Sequence, residues 1–233
     1  MNMTERQKEL DLLSTLSNEA VLISVAGCEE THPSTLDRLA SNKVFAIKAK
    51  VARNLNTSPE TLDKMADTED ENLLRTLTSN SSLYTKTLDK ILANYRKLSD
   101  DTLIACLSHL NMSPKTLYKF RNSKYYLTVL KNPKANAKLL EWAYEYIGGI
   151  EIHEIIVEHP NASFDLLRRI SQLSSSYRFV KYAKARYIRM FCKQKGFEFQ
   201  TTDLPLEASN INFWNLKDID TYLNYLAAKK AAC

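Results

Sequence analysis

Within short stretches of the chain the apolar residues fall three or four apart, the spacing of one helix face. Over longer stretches the same face returns at a near-constant interval. VARNLNTSPETLDKMA, from Val51, repeats VAGCEETHPSTLDRLA, from Val25, with a shift of 26 residues. Weaker copies begin at Leu77 (LTSNSSLYTKTLDKIL), Cys106 (CLSHLNMSPKTLYKFR), Val129 (VLKNPKANAKLLEWAY) and Ile156 (IVEHPNASFDLLRRIS). Their anchor leucines are Leu36, Leu62, Leu88, Leu117, Leu140 and Leu167, separated by 26, 26, 29, 23 and 27 residues.

Each slot of the copy has a physical reading. Its first residue is apolar throughout: Val25, Val51, Leu77, Cys106, Val129 and Ile156. So is the residue three after the anchor: Leu39, Met65, Ile91, Phe120, Ala143 and Ile170. Anchor and follower form the inner face of a helix. Four residues before the anchor stand His32, Ser58, Tyr84, Ser113, Asn136 and Ser163, and the Ser and Asn side chains are good N-caps. Pro33, Pro59 and Pro114 follow the cap, at the first helical position, where a missing N–H costs nothing. A second, proline-free helix is expected between copies, over 43–53, 70–78, 99–109, 123–131 and 150–158. The pattern predicts an all-α protein, an α-solenoid of about six two-helix repeats in which neighbours bury each other's apolar faces. Its expected organisation is a capping helix over 1–24, repeats over 25–171, and a basic helix with a C-terminal capping segment over 172–233.

The run V-A-R-N-L-N-T-S-P-E-T-L-D-K-M-A resembles the leucine-rich repeat variant (LRV) motif of bacterial proteins over residues 25–171. That resemblance implies a right-handed superhelix of alternating α- and 3₁₀-like helices without strands. It implies no single activity. One member of the family carries an iron–sulfur cluster on a cysteine-rich N-terminal segment. Residues 1–24 contain no cysteine, so that cluster is not carried over.

One polar slot, Cys28, Asn54, Asn80, His109, Asn132 and His159, lies in the turn of each copy. Read as chemistry it is a row of ligands. Neighbouring slots sit one repeat apart, roughly 10 Å, too far to share a metal whose bonds span ~2.0–2.3 Å. The better reading is side chains that bond turn backbone. The four cysteines, Cys28, Cys106, Cys192 and Cys233, form no C-x-x-C pair and predict a reduced, cytoplasmic chain without a metal or other cofactor.

Charge is distributed in blocks. The net is −5 over 1–71, +9 over 72–138, −4 over 139–171 and +5 over 172–233. Residues 177–194 form an amphipathic helix with Phe179, Val180, Ala183, Tyr187, Met190 and Phe191 on one side. Arg178, Lys181, Arg186, Arg189 and Lys193 lie opposite. The basic middle adds Lys115, Lys119, Arg121, Lys124, Lys131 and Lys134, interleaved with Tyr118, Tyr125 and Tyr126. Basic side chains with tyrosines can engage nucleic acid; they also suit an acidic protein or an anionic membrane surface. Beyond Lys195 the sequence predicts a loop and a final helix with Leu216, Ile219, Tyr222, Leu223 and Leu226 inward.

Catalytic motifs are absent. Four glycines, Gly27, Gly148, Gly149 and Gly196, cannot supply a phosphate-binding loop or a nucleophile elbow. His153-Glu154 has no second histidine at zinc-protease spacing. No apolar run reaches the ~18 residues of a membrane span. The sequence therefore predicts a non-enzymatic binding scaffold with a protein partner. A nucleic-acid-binding solenoid is the alternative. A glycosylase-like enzyme using Trp142, Arg168 and Arg169 is a remote one, resting on fold analogy.

Overall fold

The computed structural model describes residues 3–173 and 177–194. The predicted final helix, with Leu216, Ile219, Tyr222, Leu223 and Leu226, lies outside them. Among the described residues every element is helical. The contacts divide the chain into an N-terminal unit, 1–134, and a C-terminal unit, 135–233.

In the N-terminal unit the helices are α1 (Glu5–Leu13), α2 (Glu19–Gly27), α3 (Pro33–Ala40), α4 (Phe45–Arg53), α5 (Pro59–Met65), α6 (Glu71–Leu77), α7 (Thr85–Ala93), α8 (Asp100–Ser108), α9 (Pro114–Lys119) and α10 (Tyr126–Lys131). The odd-numbered helices from α3 carry the anchor leucines; the even-numbered ones pack on each other in series, α2 on α4, α4 on α6, α6 on α8 and α8 on α10. Leu36, Leu62, Leu88 and Leu117 are all fully buried. The capping logic holds in detail. Ser58 and Ser113 accept from the amides of Thr61 and Thr116. His32 also caps, its Nδ1 accepting from the Ser34 amide. Tyr84 makes no cap bond; its hydroxyl donates to Glu60 at 2.6 Å instead.

The resemblance implied alternating 3₁₀ helices, and here the structure differs. Both helices of the repeat are α, and among the described residues the one 3₁₀ turn is Tyr95–Lys97. The reason is the inner stripe. Thr61, Leu62 and Met65 are buried together, as are Thr35, Leu36 and Leu39. Positions i, i+1 and i+4 share a face at ~100° per residue, whereas the three-residue turn of a 3₁₀ helix would swing i+4 a third of a turn away from i.

The repeat register also reaches one step further back than the six copies. Leu10, 26 residues before Leu36, is buried, and the next residue, Asp11, accepts a hydrogen bond from Thr35. The stretch before Val25 is thus α1 and most of α2, in place of the single capping helix expected there.

The C-terminal unit contains α11 (Ala137–Tyr146), α12 (Ile150–Glu158), α13 (Phe164–Ser171) and α14 (Arg178–Gln194). Gly148 and Gly149 make the turn from α11 to α12 at φ 63° and 88°, left-handed backbone that a side chain would strain. Helix α14 lies against α12 and α13. Phe179, Val180, Ala183 and Tyr187 are buried as the wheel predicts, joined by Lys184 and Ile188, which it did not place inward. Tyr187 stacks on Phe164 with centroids 4.5 Å apart.

Candidate functional site

Two sets of side chains run from repeat to repeat. The first is the polar slot. The last carbonyls of a helix have no partner within it. Here the following repeat supplies one. The Asn54 amide donates to Ala26 and Cys28 carbonyls at 2.9 and 2.8 Å. Asn80 donates to Ala52 and Asn54, both at 2.9 Å, and Asn132 to Leu107 and His109 at 2.7 and 3.0 Å. His109 takes the same place with one donor, Nε2–H to the Asn80 carbonyl at 3.0 Å, while its Nδ1 accepts from the Asn111 amide. These residues bond turn backbone, as their spacing suggested. They bond two turns: the side-chain acceptor takes an amide two residues on in their own turn, and the donors reach the turn of the preceding repeat.

The second set is threonine to carboxylate. Thr35, Thr61 and Thr116 donate to Asp11, Asp37 and Asp89 at 2.6, 2.8 and 2.6 Å, and Thr87 donates to Asp63. The threonine hydroxyl is the main reason that the Asp11, Asp37 and Asp63 carboxyls titrate below the ordinary carboxylate range. Beside this row runs a basic one. Arg38 pairs with Asp11, Lys64 with Asp37 and Lys90 with Asp67, at 2.8, 3.2 and 2.6 Å.

The register breaks once, where the anchor spacing goes from 29 to 23. The long interval holds the inserted 3₁₀ turn Tyr95–Lys97. The short one leaves α9 and α10 with only six residues each. Between the inserted turn and the shortened connection lies a cleft of about 680 Å³ within the N-terminal unit. Tyr95, Phe120 and Tyr125 line it, with Lys115, Lys119, Asp89 and Ala93. The Tyr95 and Phe120 rings meet edge to face at 5.3 Å, a favourable aromatic geometry. Tyr95 is 40% exposed, an aromatic left available to solvent.

The structure separates the predicted basic residues by what they already do. Lys115 and Lys119 are exposed in the cleft, and among the described residues neither forms an ion pair. Lys124 is taken up at 2.5 Å by Asp100, which also accepts from the Tyr125 hydroxyl at 2.6 Å. Both bonds hold the Asp100 carboxyl below its usual range, that of Lys124 foremost. Arg121 lies over the Tyr118 ring at 4.2 Å and donates to the Tyr118 carbonyl. In the C-terminal unit Arg178 reaches the Tyr182 hydroxyl at 3.0 Å, and Lys181, Arg189 and Lys193 are exposed.

Arg186 is a correction. The wheel placed it on the wet side of α14. It turns back and donates to the carbonyls of Val157, His159 and Pro160 at 2.6, 2.7 and 3.3 Å. Val157 lies in the last turn of α12, so Arg186 does for this unit what asparagine does in the other. Tyr95, Phe120 and Ala93 carry the opposite lesson. Tyr95 and Ala93 line the cleft and were not singled out, and Phe120, expected on the inner face of its helix, is half-buried at the cleft wall; the uneven spacing around Leu117 marked the place.

Burial pushes the Cys106 thiol up to about 12, far from a reactive thiolate. Burial lowers the His153 imidazole, which sits between the Tyr144 and Phe179 rings. Among the described residues no three histidine, cysteine or acidic side chains gather as metal ligands, and no helix is long and apolar enough to cross a membrane. No family model matches the chain, and no curated protein or solved structure is similar to it.

Proposed function

We propose that this chain is a non-enzymatic helical-repeat scaffold, a superhelix of about six LRV-like two-helix repeats, that engages a protein partner. The cleft at the register break carries the reading. Elsewhere in the N-terminal unit the threonine–aspartate row and the asparagine slot tie repeat to repeat. At the break two exposed lysines and three aromatic rings, Tyr95 exposed and Phe120 and Tyr125 half-buried, line one open cleft. Exposed aromatics in a pocket with charged residues at its margin are the usual anchors of a protein interface. The repeats on either side make a stiff frame for it.

The four cations exposed along α14, Arg178, Lys181, Arg189 and Lys193, favour a second reading, a nucleic-acid surface. One experiment separates the two. The full chain is used as bait in native lysate of its own cells, with and without nuclease. The scaffold reading expects the same stoichiometric protein in both. Recovery that nuclease abolishes gives the nucleic-acid reading its support, and no stoichiometric protein in either overturns the scaffold.

A further inference from the structure

Lys119 stands two residues after its anchor, the position of Arg38, Lys64 and Lys90 in the earlier repeats and Arg169 in the last. All four of those are paired with a carboxylate of the preceding repeat. For Lys90 and Arg169 the partner is the residue five after the preceding anchor: Asp67 at 2.6 Å and Glu145 at 3.4 Å. At that position before Lys119 the chain has Ala93. Ala93 is exposed and lines the cleft. For Arg38 and Lys64 the partner is instead the residue one after the preceding anchor, Asp11 and Asp37; before Lys119 that residue is Asp89, which accepts from Thr116 and forms no ion pair with Lys119. So one cation of an otherwise paired row faces the cleft with the nearer counter-charge unpaired to it and the farther one replaced by a methyl group.

We propose that a partner supplies the missing carboxylate: the cleft binds an acidic peptide segment, an Asp or Glu meeting Lys119 while an adjacent apolar or aromatic side chain packs on Tyr95 and Phe120. This rests on the scaffold reading and names the chemistry of its partner. A charge-assisted bond to an ammonium is stronger than a neutral one. Lys115 reinforces the positive sign at the same margin. Asp89 and Asp100 set the limit on it. Asp89 lines the cleft, and Asp100 holds Tyr125, one of the cleft's rings. Two fixed carboxylates there oppose a continuous phosphate backbone but leave room for a single side-chain carboxylate. The cleft's chemistry therefore favours a peptide over a nucleic acid.

The test is selection of a displayed random-peptide library on the full chain, followed by anisotropy of the enriched peptides. Enriched sequences should carry Asp or Glu beside an apolar or aromatic residue. Lys119→Glu should weaken them roughly tenfold or more, and a Glu→Lys change in the peptide should recover part of that loss. Ala93→Asp is the sharper variant. It restores the pairing seen at Lys90–Asp67, so it should weaken the peptide while leaving the unfolding temperature unchanged or raised. Enriched peptides that bind both variants as tightly as the parent overturn the inference. So does the enrichment of basic sequences, or of none. A labelled RNA or DNA oligonucleotide that outcompetes the peptides and is itself weakened by Lys119→Glu overturns it in favour of phosphate. If the lysate still yields a stoichiometric protein and both variants retain it, the scaffold reading stands and only the cleft assignment falls.

Discussion

In the N-terminal unit Thr35, Thr61, Thr87 and Thr116 each donate to an aspartate of the preceding repeat. At the same place in the C-terminal unit, one residue before the anchor, stand Leu139 and Leu166, both fully buried. The residue after the anchor changes too, from Asp37, Asp63 and Asp89 in the N-terminal unit to Glu141 and Arg168 in the C-terminal unit. One unit stacks its repeats through a row of threonine–aspartate bonds; in the other the threonine slot is apolar, and polar links lie beside it, Ser163 donating to Glu141 at 3.3 Å and Arg169 pairing with Glu145 at 3.4 Å. A threonine hydroxyl has one acceptor within reach, so the polar row sets the register of each repeat on the last. Leucine offers area without direction, and the C-terminal unit takes its direction from rings instead: Phe164 on Tyr187, His153 on Phe179, Arg169 over Tyr144.

What both units share is the need to satisfy helix-end carbonyls, and the comparison breaks hardest there. Asn80 is fully buried, donates twice and accepts from the Ser82 amide. Asn80→Ala strands the Ala52 carbonyl and the Ser82 N–H and leaves the Asn54 carbonyl with the Thr57 amide alone, and each stranded buried group costs about 1–3 kcal/mol. The expected loss is about 2–5 kcal/mol, the largest of any single polar change considered, measurable by urea denaturation. His109→Asn is its counterpart. Asparagine is the residue of three other rungs, so this change should leave stability within about 1 kcal/mol of the parent. A large loss there would mean that the rung needs the ring and not the pair of bonds.

Arg186 extends the same logic to the C-terminal unit. Its guanidinium holds three carbonyls, and hydrogen bonds from a charged group are worth about 1.5–3 kcal/mol. Arg186→Ala should cost about 2 kcal/mol in denaturation. Arg186→Lys should recover less than half of that, because the ammonium's donors sit on one nitrogen and cannot span the carbonyls that two guanidinium nitrogens reach. Full recovery by lysine would show that charge, not geometry, is what the α12 terminus requires.

Arg186 also shows where sequence reasoning stops. Local signals were legible. The expected second helices over 43–53 and 99–109 appear as Phe45–Arg53 and Asp100–Ser108, because caps, prolines and the anchor face act within one turn. A helical wheel, though, projects the Cα–Cβ direction. A side chain as long as arginine's can start on the polar side and end against the neighbouring helix. Likewise the wheel left Lys184 outside the apolar arc, yet it is buried. The asparagine slot was legible as a turn device, but its acceptors sit 23–28 residues earlier in the chain, and only stacking brings them near. The cleft was half legible. Three extra residues in one interval are returned by three fewer in the next, so the overall repeat length conceals a local break. Which rings and lysines meet there depends on how the two altered connections fold.

The smallest expected effect tests the polar row directly. Thr87→Val keeps shape and burial while removing the hydroxyl that Asp63 accepts. At neutral pH the loss should be about 1 kcal/mol. Its pH dependence carries the argument. The Asp63 carboxyl titrates below its ordinary value in the folded chain, chiefly because of Thr87, helped by Lys90 and Lys86. A lowered carboxylate contributes stability that is complete above its unfolded value of ~3.9 and is lost as pH falls through the folded one. The gap between parent and Thr87→Val should therefore hold constant from neutral pH to about pH 5 and close below that, the parent losing stability faster on acidification. Asp11 and Asp37 are lowered by the same device, so Thr35→Val and Thr61→Val should behave alike. Leu139 and Leu166 carry no such carboxylate bond, and shortening them should give losses that do not vary with pH. A gap at Thr87 that persists unchanged to strong acid would mean that the hydroxyl acts by filling space, and that the two units stack by one principle after all.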